Sequence, residues 1–68
     1  MNYYEWSNEY TQTAEQLSEV IERLNKRRKT ACASDSRELG ERLAMYRSLR
    51  RECLNTAAHL MERHRGAA

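Results

Sequence analysis

From Arg37 to His64 apolar residues recur at steps of three and four: Leu39, Leu43, Tyr46, Leu49, Cys53, Ala57 and Leu60. This is the spacing of one face of a long α-helix. Met45, Leu54 and Met61 flank the line, so the apolar face is wider than one neighbouring helix covers. The first half of the chain carries a matching stripe. Tyr3, Trp6, Tyr10, Thr13, Leu17, Val20 and Leu24 alternate steps of three and four, with Ala14 and Ile21 broadening it. The pattern predicts a first helix that is aromatic towards its N-terminus and aliphatic towards its C-terminus.

Local signals place the ends. Asn2 followed by Glu5 has the form of a capping box, in which the Asn side chain accepts from a free amide of the first turn. There is no proline, and no glycine before Gly40, so nothing interrupts the first helix. Ala33, Ser34, Asp35 and Ser36 are the one interior cluster of turn formers, and Ser34 or Asp35 is the expected cap of the second helix. The expectation is a single all-α domain, an antiparallel hairpin with helix 1 over about 3–31, a turn over about 32–35 and helix 2 over about 36–64, Gly66 marking its end. Folding there sets Leu24 opposite Leu43, Ile21 opposite Tyr46, Leu17 near Leu49 and Cys53, Tyr10 near Ala57, and Trp6 near Leu60 and Met61. Gly40 reads as a tolerated surface position, with close approach of another helix near the bend as the sharper alternative.

At 68 residues the chain is near the lower limit for burying enough surface to fold alone. Disulfides, metals and oligomerisation are the usual supports. Cys32 near the bend and Cys53 midway along helix 2 are separated by roughly 27 Å of helix, beyond disulfide reach. There is no CxxC, and His59 and His64 turn to different sides of a helix, so no metal or other cofactor is expected. Oligomerisation remains. Two hairpins packed face to face would form a four-helix bundle, most simply a twofold homodimer. Its expected contact residues are Trp6, Tyr10, Leu17, Ile21, Leu24, Leu43, Tyr46, Leu49, Cys53, Ala57 and Leu60. A different protein covering the same face, as in a hetero-complex, would need the same stripe.

The formal net charge is only +2, which selects no partner class. Its distribution is polar: residues 1–22 hold five acids and no base, and residues 23–29 hold five bases and no acid. Acids at a helix start and bases at its end both suit the helix macrodipole. The run Lys26, Arg27, Arg28 and Lys29, joined near the bend by Arg37 and Arg42, is a candidate contact for nucleic-acid phosphates. Asp35, Glu38 and Glu41 share that end and favour a solvated helix tip instead. Arg50, close to the seam, is expected to pair with Glu15, Glu19 or Glu52.

Tyr3, Tyr4, Trp6 and Tyr10 read as the core of the open end, with an exposed binding anchor as the alternative; of the four, Tyr4 is expected to be exposed. Neither thiol has a base at helical spacing, His59 and His64 lack a catalytic constellation, and two glycines cannot build a phosphate loop. The chain therefore reads as a non-enzyme. No apolar run reaches membrane-span length, the segment Met1 to Glu9 is polar and acidic, and the cysteines are unpaired, which together point to the cytoplasm.

Tyr4-Glu5-Trp6 with Glu9-Tyr10, then Ala33-Ser34 leading to Glu38-Leu39, then Arg42-Leu43, Met45-Tyr46 and Glu52-Cys53 running into Thr56-Ala57 form a pattern. It resembles short helical-hairpin proteins of unknown function from Gram-positive bacteria and their mobile elements, over residues 3 to about 60. The resemblance implies a bacterial cytoplasmic protein and brings neither catalytic residues nor a named partner. The sequence thus leads to a self-associating protein-interaction module. A small nucleic-acid-binding or regulatory protein is the second reading.

Overall fold

The computed structural model describes residues 2–67, which form two helices, α1 (Tyr3–Thr30) and α2 (Ala33–Ala67), packed along their length. Contacts of Ser7 with Ala57, Ser18 with Arg50 and Arg28 with Ser36 run in opposite senses along the two helices. The hairpin is therefore antiparallel, a rod of 53 × 14 × 14 Å. Among the described residues there is no strand.

The start of α1 is set by its cap. Asn2 is extended (φ −104°, ψ 173°), and its Oδ1 accepts from the Glu5 backbone N–H at 2.8 Å, satisfying one of the amides that a helix start leaves without a partner. Glu5 in the first turn and Arg27, Arg28 and Lys29 in the last each face the favourable end of the macrodipole.

The bend is tighter than the sequence suggests. Ala31 turns extended (φ −82°, ψ 154°) with its N–H donating to the Arg28 carbonyl, and the Cys32 carbonyl already accepts from Ser36 N–H at 2.8 Å. So α2 begins at Ala33 rather than 36, and Cys32 takes the capping place expected for Ser34 or Asp35. Two residues suffice to reverse the chain, and the turn-forming cluster winds into the first turn of α2, where Asp35 still faces the dipole's positive end. At the other end α2 passes His64 and runs through Gly66 to Ala67. No glycine takes a positive φ, so the left-handed stop that would end the helix does not form. Ala68 lies outside the described residues.

The seam follows a seven-residue repeat. Ser7, Ala14 and Ile21 recur on α1, and Leu43, Arg50 and Ala57 on α2, the phase of an antiparallel two-stranded coiled coil. Its two halves are built differently. Towards the bend, Leu24, Leu39 and Leu43 form a buried cluster with Val20, Ile21, Ala31 and Tyr46 against it, and Leu43 is 0 % exposed. Towards the open end, the buried positions are Ser7, Ala14 and Ala57. Ser7 Oγ donates to the Ala57 carbonyl at 3.0 Å, so there the helices lie close enough for a two-atom side chain to reach the opposite backbone.

Polar seam residues find partners other than those expected. Arg50 Nε donates to Ser18 Oγ at 2.7 Å, taking a hydroxyl straight across the seam rather than Glu15, Glu19 or Glu52. Arg28 Nε donates to Ser36 Oγ at 3.2 Å, and its guanidinium lies over Gly40, where an added Cβ would meet it at 3.0 Å. Gly40 is thus not a site of close helix approach: what lies over it is the end of a side chain. Arg28 is exposed and can swing aside. Gly40→Ala is accordingly expected to raise stability by a few tenths to about 1 kcal/mol through helix propensity, less the Ser36 contact. Urea melts of Gly40→Ala with and without Arg28→Ala check this; a lower midpoint in the single variant alone would mean that the guanidinium is fixed in place.

Candidate interaction face

The small residues of the open-end seam decide where the aromatic rings go. With Ser7, Ala14 and Ala57 drawing the helices together, no space remains between them for a ring. Tyr4, Trp6 and Tyr10 are exposed, and Tyr3 is half-buried, edge-on to Trp6 at 6.0 Å. The expectation that all but Tyr4 form that end's core is therefore corrected: Trp6 and Tyr10 are each 42 % exposed.

Trp6 and Tyr10 belong to one long side of the rod. Near the open end Trp6, Glu9, Tyr10, Thr13, Thr56 and Leu60 line a groove of about 450 Å³. Near the bend a second groove of about 440 Å³ is bounded by Arg27, Thr30, Ala31, Asp35, Glu38, Leu39 and Arg42. Thr13 and Arg27 are two heptads apart, as are Arg42 and Thr56, so both grooves open on the same side. Leu49 lies one heptad from both Arg42 and Thr56 and joins the grooves. It is 42 % exposed, and Met45, one turn away, is 52 % exposed. The opposite side is more polar, with Ser18, Ile21, Arg47 and Arg50 around a shallow recess. Leu54 is exposed there, and Tyr4 sits 5.7 Å from the His64 ring.

The eleven expected contact residues divide. Leu24, Leu43 and Ala57 are buried within one chain and hold the hairpin together. Leu17, Ile21, Tyr46, Cys53 and Leu60 are half-buried along the seam, and Trp6, Tyr10 and Leu49 are exposed. Met45 completes the exposed strip. In the sequence it only flanks the main apolar line, although its i, i+4 spacing to Leu49 places the two on one side.

The basic run is spread around the helix rather than gathered. Lys26 pairs with Glu22 at 3.7 Å, and Arg28 is turned onto Ser36 and Gly40. Arg42 pairs with Glu38 at 3.3 Å. Lys29 and Arg27 are exposed, Arg27 sharing the lining of the bend groove with Asp35.

Both cysteines are free, Cys32 exposed and Cys53 half-buried. A hydrogen bond from the Asp35 backbone N–H, helped by the Ser34 hydroxyl, holds the Cys32 thiol below its ordinary value of 9.0, as expected for sulfur at a helix start. Iodoacetamide should therefore alkylate Cys32 well before Cys53. Its rate should rise through a midpoint below 9.0; equal rates for the two thiols would contradict the capping role. Because the folded value is lowered, the thiolate stabilises the fold above the unfolded value, and that contribution is lost as pH falls through the folded one.

No helix among the described residues is long and apolar enough to cross a membrane. The chain matches no protein-family model, no curated protein and no solved structure. The face itself is the only guide to what the hairpin does.

Proposed function

We propose that this hairpin is a non-enzymatic assembly module whose partner is a second copy of itself, the two packing as a four-helix bundle. One observation carries the reading. The described open half buries no large apolar side chain, while Trp6, Tyr10, Leu49 and Met45 stand exposed on a single side. Surface of that kind, joined into one strip and edged with polar residues, is characteristic of association sites.

The size of the side fits as well. A face 53 Å long and 14 Å wide between Cα limits offers on the order of 700 Å², close to the roughly 800 Å² per partner of a stable interface. Trp and Tyr are the residue types that anchor such contacts. The free thiols suit a reducing compartment, and we place the module in the cytoplasm on that ground.

Thermal melts over a hundredfold range of protein concentration test the reading. A dimer that holds the fold melts at higher temperature as concentration rises. A melting temperature independent of concentration would refute self-association and leave the strip to a different protein.

A further inference from the structure

Resting on the homodimer reading, we infer that the two hairpins pack head to tail, the bend of each beside the open end of the other, with Trp6 of one copy seated in the bend groove of its partner. The shared face carries an exposed indole at one end and an unfilled groove at the other. Trp6 is 42 % exposed on the wall of the open-end groove, and the bend groove is lined by Ala31 and Leu39 with Arg27, Asp35, Glu38 and Arg42. Trp6 and Thr30, the latter on the rim of that groove, are equally far along α1 from Ser18. A twofold axis through the level of Ser18, near the middle of the rod, therefore brings each Trp6 onto the partner's groove with the rod ends flush.

Charge points to the same axis. Glu9 edges the open-end groove and Arg27 the bend groove, and among the described residues neither belongs to an ion pair. Eighteen residues, five helical turns, separate them, so they share one line along α1 about 27 Å apart. Their midpoint is Ser18. The same rotation sets Glu9 against the partner's Arg27 twice and brings each indole beside that same Arg27, a placement that suits a cation–π contact. Bend-to-bend packing would instead lay α1 over the partner's α2 and leave Glu9 and the partner's Arg27 at opposite ends of the rod. Flush overlap also uses the whole face, whereas a half-length stagger would halve an area already near the lower end for a stable interface.

Spin labels on Cys32, in a Cys53→Ser background, test the orientation by electron–electron distance measurement. Head-to-tail packing predicts a distance between bends near the 53 Å length of the rod. A distance within about 20 Å, two helix diameters, would show bend-to-bend packing and overturn the inference while leaving the dimer standing. No intermolecular coupling would overturn both. Charge reversal on exposed positions checks the same axis without disturbing the seam. Glu9→Arg and Arg27→Glu should each weaken dimerisation roughly tenfold, and the double variant should restore it; a double variant no tighter than either single one would contradict the pairing.

Discussion

Leu43→Ala is expected to unfold the hairpin at room temperature when the protein is dilute. Among the described residues Leu43 is the one large side chain with no exposure, and Leu24 and Leu39 close around it. Truncating a buried leucine costs about 2–5 kcal/mol. A 68-residue domain has a total stability on the order of 3–10 kcal/mol, so the loss removes most of the margin. Nothing at the open end compensates, since Ser7, Ala14 and Ala57 bury little apolar surface. Urea titration followed by circular dichroism at 222 nm should show the midpoint collapsing towards zero. An unchanged midpoint would mean that the bend cluster is not the centre of stability.

Leu49→Glu should separate association from folding. Leu49 is exposed in the single chain, so its replacement removes little from the hairpin itself. In the proposed bundle it lies at the middle of the covered face, where a carboxylate would be taken from water with no cation opposite. The expected loss of affinity is at least about a hundredfold, the scale of a central hot-spot residue. Leu54→Glu is the control: Leu54 is also exposed but lies on the more polar side, and association should be unchanged. Size-exclusion chromatography of the two variants at equal concentration reads the contrast; equal behaviour would show that the Trp6–Leu49 side is not the interface.

The two-helix architecture follows from local rules that the chain obeys without conflict. The three-and-four spacing of Leu39, Leu43 and Tyr46, the Asn2 cap and the absence of proline all act within a few residues, which is why they can be read in one dimension. The pairing of Leu24 with Leu43 also follows, because a short bend leaves one register that sets apolar against apolar. The position of the bend itself does not. Ser34 and Asp35 are good caps and equally good first-turn residues, and a cysteine is not an ordinary choice of cap, so nothing local puts the helix start at Cys32.

The exposure of the rings was harder still. Trp6 and Tyr10 fall at seam spacing, and a stripe of aromatics at that spacing ordinarily reads as core. What turns them outward is the size of their neighbours: Ser7, Ala14 and Ala57 bring the backbones together, an effect of packing in three dimensions that periodicity does not carry. The exchange of Glu15, Glu19 or Glu52 for Ser18 as the partner of Arg50 has the same origin. At a close interhelical distance, the short hydroxyl directly opposite is reached first.

Sedimentation equilibrium of the unmodified chain from sub-micromolar to high micromolar concentration is the most direct measurement. The exposed strip predicts a shift from the 8.1 kDa of one chain to twice that mass, with a single dissociation constant fitting all loadings. A particle that stays folded at one chain's mass throughout that range would contradict it.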